Sequence, residues 1–128
     1  IYDLMSKAFE YELVHESRIY EEVTWEYAIN SFLQWMKENR VIIRNILANA
    51  ELPYLKRAMY PLIAKSISCG SFTQESTQPA IKQQEEFCIN FLTIGITQYV
   101  LEWVESDFRE SIEDMVDHMS WLLQKVYS

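Results

Sequence analysis

Apolar side chains recur along this chain at helical spacing almost from end to end. Tyr2, Met5, Phe9 and Leu13, with Ile1 and Ala8 beside them, mark one face of a helix over about residues 1–17. A polar break at 18–22 follows. Thr24 then sits where an N-cap belongs, with Glu26 in the first turn where a carboxylate complements the helix dipole. The next stripe, Trp25, Ala28, Ile29, Phe32, Leu33 and Met36, keeps the i, i+3, i+4, i+7 rule, and Tyr27 and Trp35 fall off it. Lys37 to Arg40 ends or bends this helix. A short helix over Val41 to Ala50 turns Ile42, Ile43, Ile46, Leu47 and Ala50 inward. Pro53 fits the first turn of the next, whose face runs Leu55, Met59, Leu62, Ile63 and Ile67. Pro61 lies inside that pattern and must kink or split it.

After a polar loop from Cys69 to Gln78, Pro79 opens a long helix over about 80–105, which would span about 39 Å. Asp107 to Glu110 makes a polar turn. Ser111, with Asp114 three residues on, has capping-box spacing, and the final stripe is Ile112, Met115, Met119, Leu122, Leu123 and Val126. The expected fold is therefore all-α, a six-helix bundle. Two glycines and three prolines in 128 residues are too few punctuators for a sheet-rich fold, which agrees.

Within the long helix, Phe87–Val104 is apolar almost all round, so both of its sides need cover. Asn90, Gln98 and Glu102 interrupt it, making it a poor membrane span. A domain of this size has little chain left to cover both sides, and a second copy could supply the missing surface. Gly95 costs about 1 kcal/mol of helix propensity relative to Ala, which suits a position where another backbone comes close. The helix surface around it and the Met-bearing final helix present adjacent apolar faces. Two copies joined there would form a four-helix interface under two-fold symmetry.

Net charge and motifs remove several function classes. A balance of −8 argues against gripping nucleic acid, whose phosphates call for clustered Lys and Arg, and against an anionic membrane surface. Cys69 and Cys88 are too few for a disulfide framework and read as free thiols in a reducing cytoplasm. Glu12 and His15 have the Glu-x-x-His spacing of di-iron bundles. The only other histidine, His118, has Met115 where the second Glu would stand, so no metal is expected. There is no activated-nucleophile signature and no phosphate-cradling loop, and no cofactor is implied. The chain opens at Ile1, without Met and inside a helical pattern, as a piece of a longer protein would.

The aromatic content points elsewhere. Eight Tyr, six Phe and four Trp, with five Met, exceed what a minimal core requires. They either fill the core or, collectively, line an apolar pocket between helices with a few polar handles, for which the Pro61 kink and Tyr60 mark the place. Met and aromatic side chains adapt to varied ligands.

The order of elements resembles the C-terminal regulatory domain of the TetR family of bacterial transcriptional regulators. The residues that carry the likeness are FLQWMKENRVIIRNIL at 32–47 and FLTIGITQYVLEWVESDFRESIEDMVDHMSWLL at 91–123, while IYDLMSKAFE resembles the helix leading out of the family's DNA-binding domain. The turn departs from the family's frequent Asn-Gly or Asp-Gly, having Ser106-Asp107, and the family's N-terminal helix-turn-helix is not in this sequence. The resemblance implies a non-enzymatic cytoplasmic domain spanning 1–128 that has no membrane role and meets DNA only through the helix-turn-helix. Its last two helices would form a homodimer, with Phe87, Gly95, Tyr99, Trp103, Met115, Met119 and Leu122 at the interface. Its earlier helices would enclose a small, hydrophobic effector, for which Phe9, Leu13, Trp25, Phe32, Trp35, Met36, Met59, Tyr60, Ile63 and Phe91 are the candidates. Effector binding would shift the first helix and so the spacing of two DNA readers. Two other classes stay open: a ligand-free protein-interaction or coactivator module using the same helical faces, and an enzyme on a helical-bundle scaffold.

Overall fold

A computed structural model describes residues 24–49, 51–68 and 79–127. Among them are five helices and no strand: α1 (Trp25–Glu38), α2 (Arg40–Ala48), α3 (Leu52–Ser68), α4 (Pro79–Glu105) and α5 (Ile112–Val126). The helix expected over 1–17, with Phe9, Leu13, Glu12 and His15, lies outside the described residues, as does the loop 69–78 with Cys69.

Four of the helix ends have a local reason. Thr24 caps α1, its hydroxyl accepting the Tyr27 N–H at 3.1 Å, and Ser111 caps α5 through the Asp114 N–H at 3.1 Å. These bonds satisfy donors that a helix start leaves without partners. Asn39 and Asn49 close α1 and α2, each side-chain amide donating at 2.8 Å to the carbonyl four residues back. Helix α3 runs through Pro61 without splitting. Pro61 and Arg57, four residues before it, are both exposed, so the hydrogen bond that Pro61 cannot donate is lost on the solvent side.

The core forms where the stripes meet. All six residues of the α1 stripe are buried, as are Leu55, Met59, Leu62, Ile63 and Ile67 of α3. Helix α3 packs along α4, and α1 lies between α3 and α5. Trp25 is fully buried and its indole N–H donates to Ser120 Oγ at 2.9 Å, tying the start of α1 to the middle of α5. From α4 the core takes Leu92, Ile96, Val100, Leu101, Trp103 and Val104. From α5 it takes Met115, Val116, Met119 and Leu123. By length and composition Lys82–Glu105 is apolar enough to cross a membrane; 44% of that window is packed inside the fold.

Periodicity misplaced Ile42. Ile42 is exposed rather than inward, and Leu122 and Val126 of the α5 stripe are exposed too. In each case the neighbouring helix covers only the narrow centre of the stripe, which on α2 is Ile43 and Ile46. Inside α4, Thr97 donates back to the Thr93 carbonyl at 2.7 Å, while the Thr93 hydroxyl is buried without a hydrogen-bond partner.

Two stability outcomes follow from this packing. Leu33→Ala, at a fully buried position, is expected to cost about 3 kcal/mol in denaturant unfolding, and Ile42→Ala less than about 1. Thr93→Val keeps the shape and deletes the unbonded hydroxyl, so it should raise the thermal midpoint, gaining about 1 kcal/mol.

Candidate functional site: an apolar groove between the last two helices

Helices α4 and α5 part from their shared turn and leave a groove of about 420 Å³ between them. Phe91, Leu92, Gly95, Ile96 and Tyr99 form the α4 wall, and His118, Met119 and Leu122 the α5 wall. Along its α4 lip stand Phe87, Phe91 and Ile94, exposed to 66%, 68% and 58%, with the Phe87 and Phe91 rings stacked at 6.0 Å. On the α5 side Leu122 is 42% exposed and Trp121 lies beyond it, with Lys125 5.9 Å over its ring. Exposed apolar strips on small domains are the usual form of an interaction surface. A Cβ built at Gly95 would meet nothing within 4 Å, so the glycine leaves a notch open to the outside and serves no close packing within the chain.

The turn that sets the groove's closed end is a Schellman motif. The Asp107 N–H donates to the Val104 carbonyl at 3.1 Å and the Phe108 N–H to the Trp103 carbonyl at 2.9 Å. Asp107 takes the left-handed position (φ 63°) that glycine usually fills; its short polar side chain tolerates it. Phe108 is also left-handed (φ 57°), which strains a bulky residue. Packing holds it there. Its ring stands edge-on to Trp103 at 4.7 Å, and the Arg44 guanidinium lies 5.9 Å over it while pairing with the Asp107 carboxylate. Arg44 therefore links α2 to the turn through a solvent-exposed pair.

Glu110 gathers the polar contacts at this end. Its carbonyl accepts the Trp103 indole N–H at 2.7 Å, its carboxylate accepts the Tyr99 hydroxyl, and its Oε1 lies 3.4 Å from His118 Nδ1. Burial, and then the hydrogen bond and charge of Glu110, push the Tyr99 phenol up to about 12. Around it the surface is acidic, with Glu102, Glu105, Asp107, Glu113, Asp114 and Asp117 all exposed. Among the described residues no group of three or more His, Cys, Asp or Glu is placed to hold a metal ion. Cys88 is a half-buried free thiol.

The sequence-derived candidates divide as follows. Of the interface set, Phe87, Gly95 and Leu122 face outward and Tyr99 is half-buried, but Trp103, Met115 and Met119 lie in the chain's own core. Trp103 is drawn in by the Schellman turn, and the two methionines belong to the face of α5 that α1 covers, Met119 also forming part of the groove wall. Of the effector set, Trp25, Phe32, Met36, Met59 and Ile63 are buried together in the core, and Trp35 and Tyr60 are half-buried. Phe91, expected to face that core, points outward instead, because Leu92 and Ile96 carry the inner face of α4 at that level. Periodicity overlooked Arg44, Phe108 and Glu110. A signal for Phe108 existed: an aromatic five residues after Trp103 at a helix end is the hydrophobic pair of a Schellman motif.

Residues 23–125 match the family model of a transcriptional regulator C-terminal region of the TetR type. The chain belongs to that family, the C-terminal domains of TetR-family transcriptional regulators. That is a family of regulators rather than enzymes. No curated protein and no solved structure matches the chain.

Tyr99→Phe removes a phenol whose protonated form the fold favours. The stabilisation it carries is complete below pH 10 and lost as pH rises through about 12. The wild-type protein should exceed Tyr99→Phe in stability by about 1 kcal/mol at neutral pH, and urea titrations across pH 9–12 should show the gap closing.

Proposed function

We propose that this domain joins two copies of a TetR-type regulator through the α4 and α5 faces and binds a small hydrophobic effector among its earlier helices. Effector binding would control DNA contact by a helix-turn-helix carried N-terminal to this segment, in an intracellular bacterial protein. The observation that carries the dimer is the outward apolar strip of Phe87, Phe91, Ile94 and Leu122 beside the open notch at Gly95, on the two helices that close the family domain. For the effector, support comes from family membership and from the aromatic and Met side chains of α1 and α3, with Trp35 and Tyr60 half-buried at their edge. Thr93, whose buried hydroxyl has no partner, offers one polar handle on the inner face of α4. The acidic surface agrees with a domain that leaves DNA contact to another part of the protein.

Sedimentation tests the dimer directly. The 15.3 kDa chain is expected to run at twice its mass at tens of micromolar. Leu122→Glu, which places a carboxylate on the α5 wall, is expected to raise the dimer Kd by at least about tenfold, or 1.4 kcal/mol, with its circular dichroism unchanged. A monomeric wild-type chain would exclude the proposal.

A further inference from the structure

The outward face of α4 carries enough pattern to say how a second copy would sit on it. Gln84, Cys88, Phe91, Gly95, Gln98 and Glu102 follow one another at steps of 4, 3, 4, 3 and 4 residues, the spacing of a helix–helix seam, and all are exposed except half-buried Cys88. Those steps read the same in both directions. An antiparallel copy related by a two-fold axis at residue 93 therefore lays the row onto itself: position 84 on 102, 88 on 98, and 91 on 95.

We propose that the two α4 helices of the dimer cross antiparallel at residue 93, each Phe91 ring seated in the notch over Gly95 of the other copy. This rests on the dimer proposed above and adds its register. Volume decides the centre. At residue 93 the largest exposed side chain of the row meets the one position with no side chain, and a Cβ there has 4 Å or more of open space around it. The receiving surface is the 420 Å³ groove, which Gly95 helps to line and which is apolar apart from the Tyr99 and His118 tips. Charge agrees, since Glu102, the only ionised member of the row, faces Gln84 of the other copy and so meets no like charge. The neighbouring symmetric registers do worse. An axis between 95 and 98 presses Glu102 onto Phe91, which desolvates a carboxylate against an apolar ring. An axis between 88 and 91 sets Gln84 opposite the notch and leaves Phe91 on Cys88. Helices meeting at a glycine also approach closely, so the rings fill space that would otherwise hold water.

Two experiments on the whole chain test the register. In a Cys69→Ser, Cys88→Ser background, Phe91→Cys and Gly95→Cys chains are mixed and mildly oxidised. The expected product is a disulfide-linked pair of unlike chains. Linkage of Phe91→Cys to itself, or no linkage in a sample that sediments as a dimer, would overturn the register while leaving the dimer standing. The second experiment exchanges knob and notch. Gly95→Phe sets its Cβ in open space; circular dichroism is expected to show the fold kept, and the dimer is expected to weaken at least about tenfold. Adding Phe91→Ala should recover most of that loss, because the ring now enters from the other helix. A double variant as weak as Gly95→Phe alone would rule the proposed seating out. A wild-type chain that sediments as a monomer would remove both the register and the dimer it rests on.

Discussion

Helix α4 has to satisfy two apolar surfaces at once, and most of the fold follows from how it does so. Leu92, Ile96, Val100 and Leu101 are buried against the rest of the chain, while Phe87, Phe91 and Ile94 stand more than half exposed within the same turns. A helix with one apolar stripe is finished once a neighbour covers that stripe. Here the inner stripe is covered within the chain and the outer one is left over. Each large side chain left more than half exposed keeps roughly 1–2 kcal/mol of burial free energy unrealised. That remainder is available to association, and Gly95 lies in its midst.

The groove beside this strip depends on the turn after α4. Had α5 folded straight back along α4, Met119 and Leu122 would close over Leu92 and Ile96. The Schellman turn, with two consecutive left-handed residues, sends α5 onto α1 instead, where the Trp25–Ser120 hydrogen bond and the buried Met115 and Leu123 hold it. Strain at Phe108 persists because Trp103, Arg44 and the Schellman hydrogen bonds surround it. Glu110 then bridges the two helices through Trp103, Tyr99 and His118. The polar contacts of this region thus shape an apolar surface. They orient helices.

The proposed regulatory function would draw on this division of surfaces. One part of the core must be able to take in an effector, and another must hold two copies together firmly enough for a change in the first part to move them relative to each other. In this chain the aromatic and Met side chains of α1 and α3 are separated from the outward strip by the thickness of α4, so the same helix borders both regions. Coupling across it needs no long pathway. On the proposed reading, a shift of α4 would change both surfaces directly.

Local pattern determined a good deal here. The α1 stripe and the α3 stripe were legible residue by residue, because one neighbour covers one face and burial then repeats with the period of the helix. The caps at Thr24 and Ser111 were legible for a similar reason: a side chain reaching its own backbone three residues away depends on little else. Where a helix is apolar on both faces, periodicity has no phase to report. Nothing in the order of residues in α4 said that Phe91 faces out and Leu92 in, or that Trp103 belongs to the chain's own core. Those assignments wait on where α1 and α3 lie and on the turn at Asp107 and Phe108, whose partner Arg44 is 63 residues distant in sequence from Asp107. Sequence determined the helices and their caps; only tertiary packing decided which apolar surface remained outside, because exposure belongs to the assembled neighbours and not to any one helix.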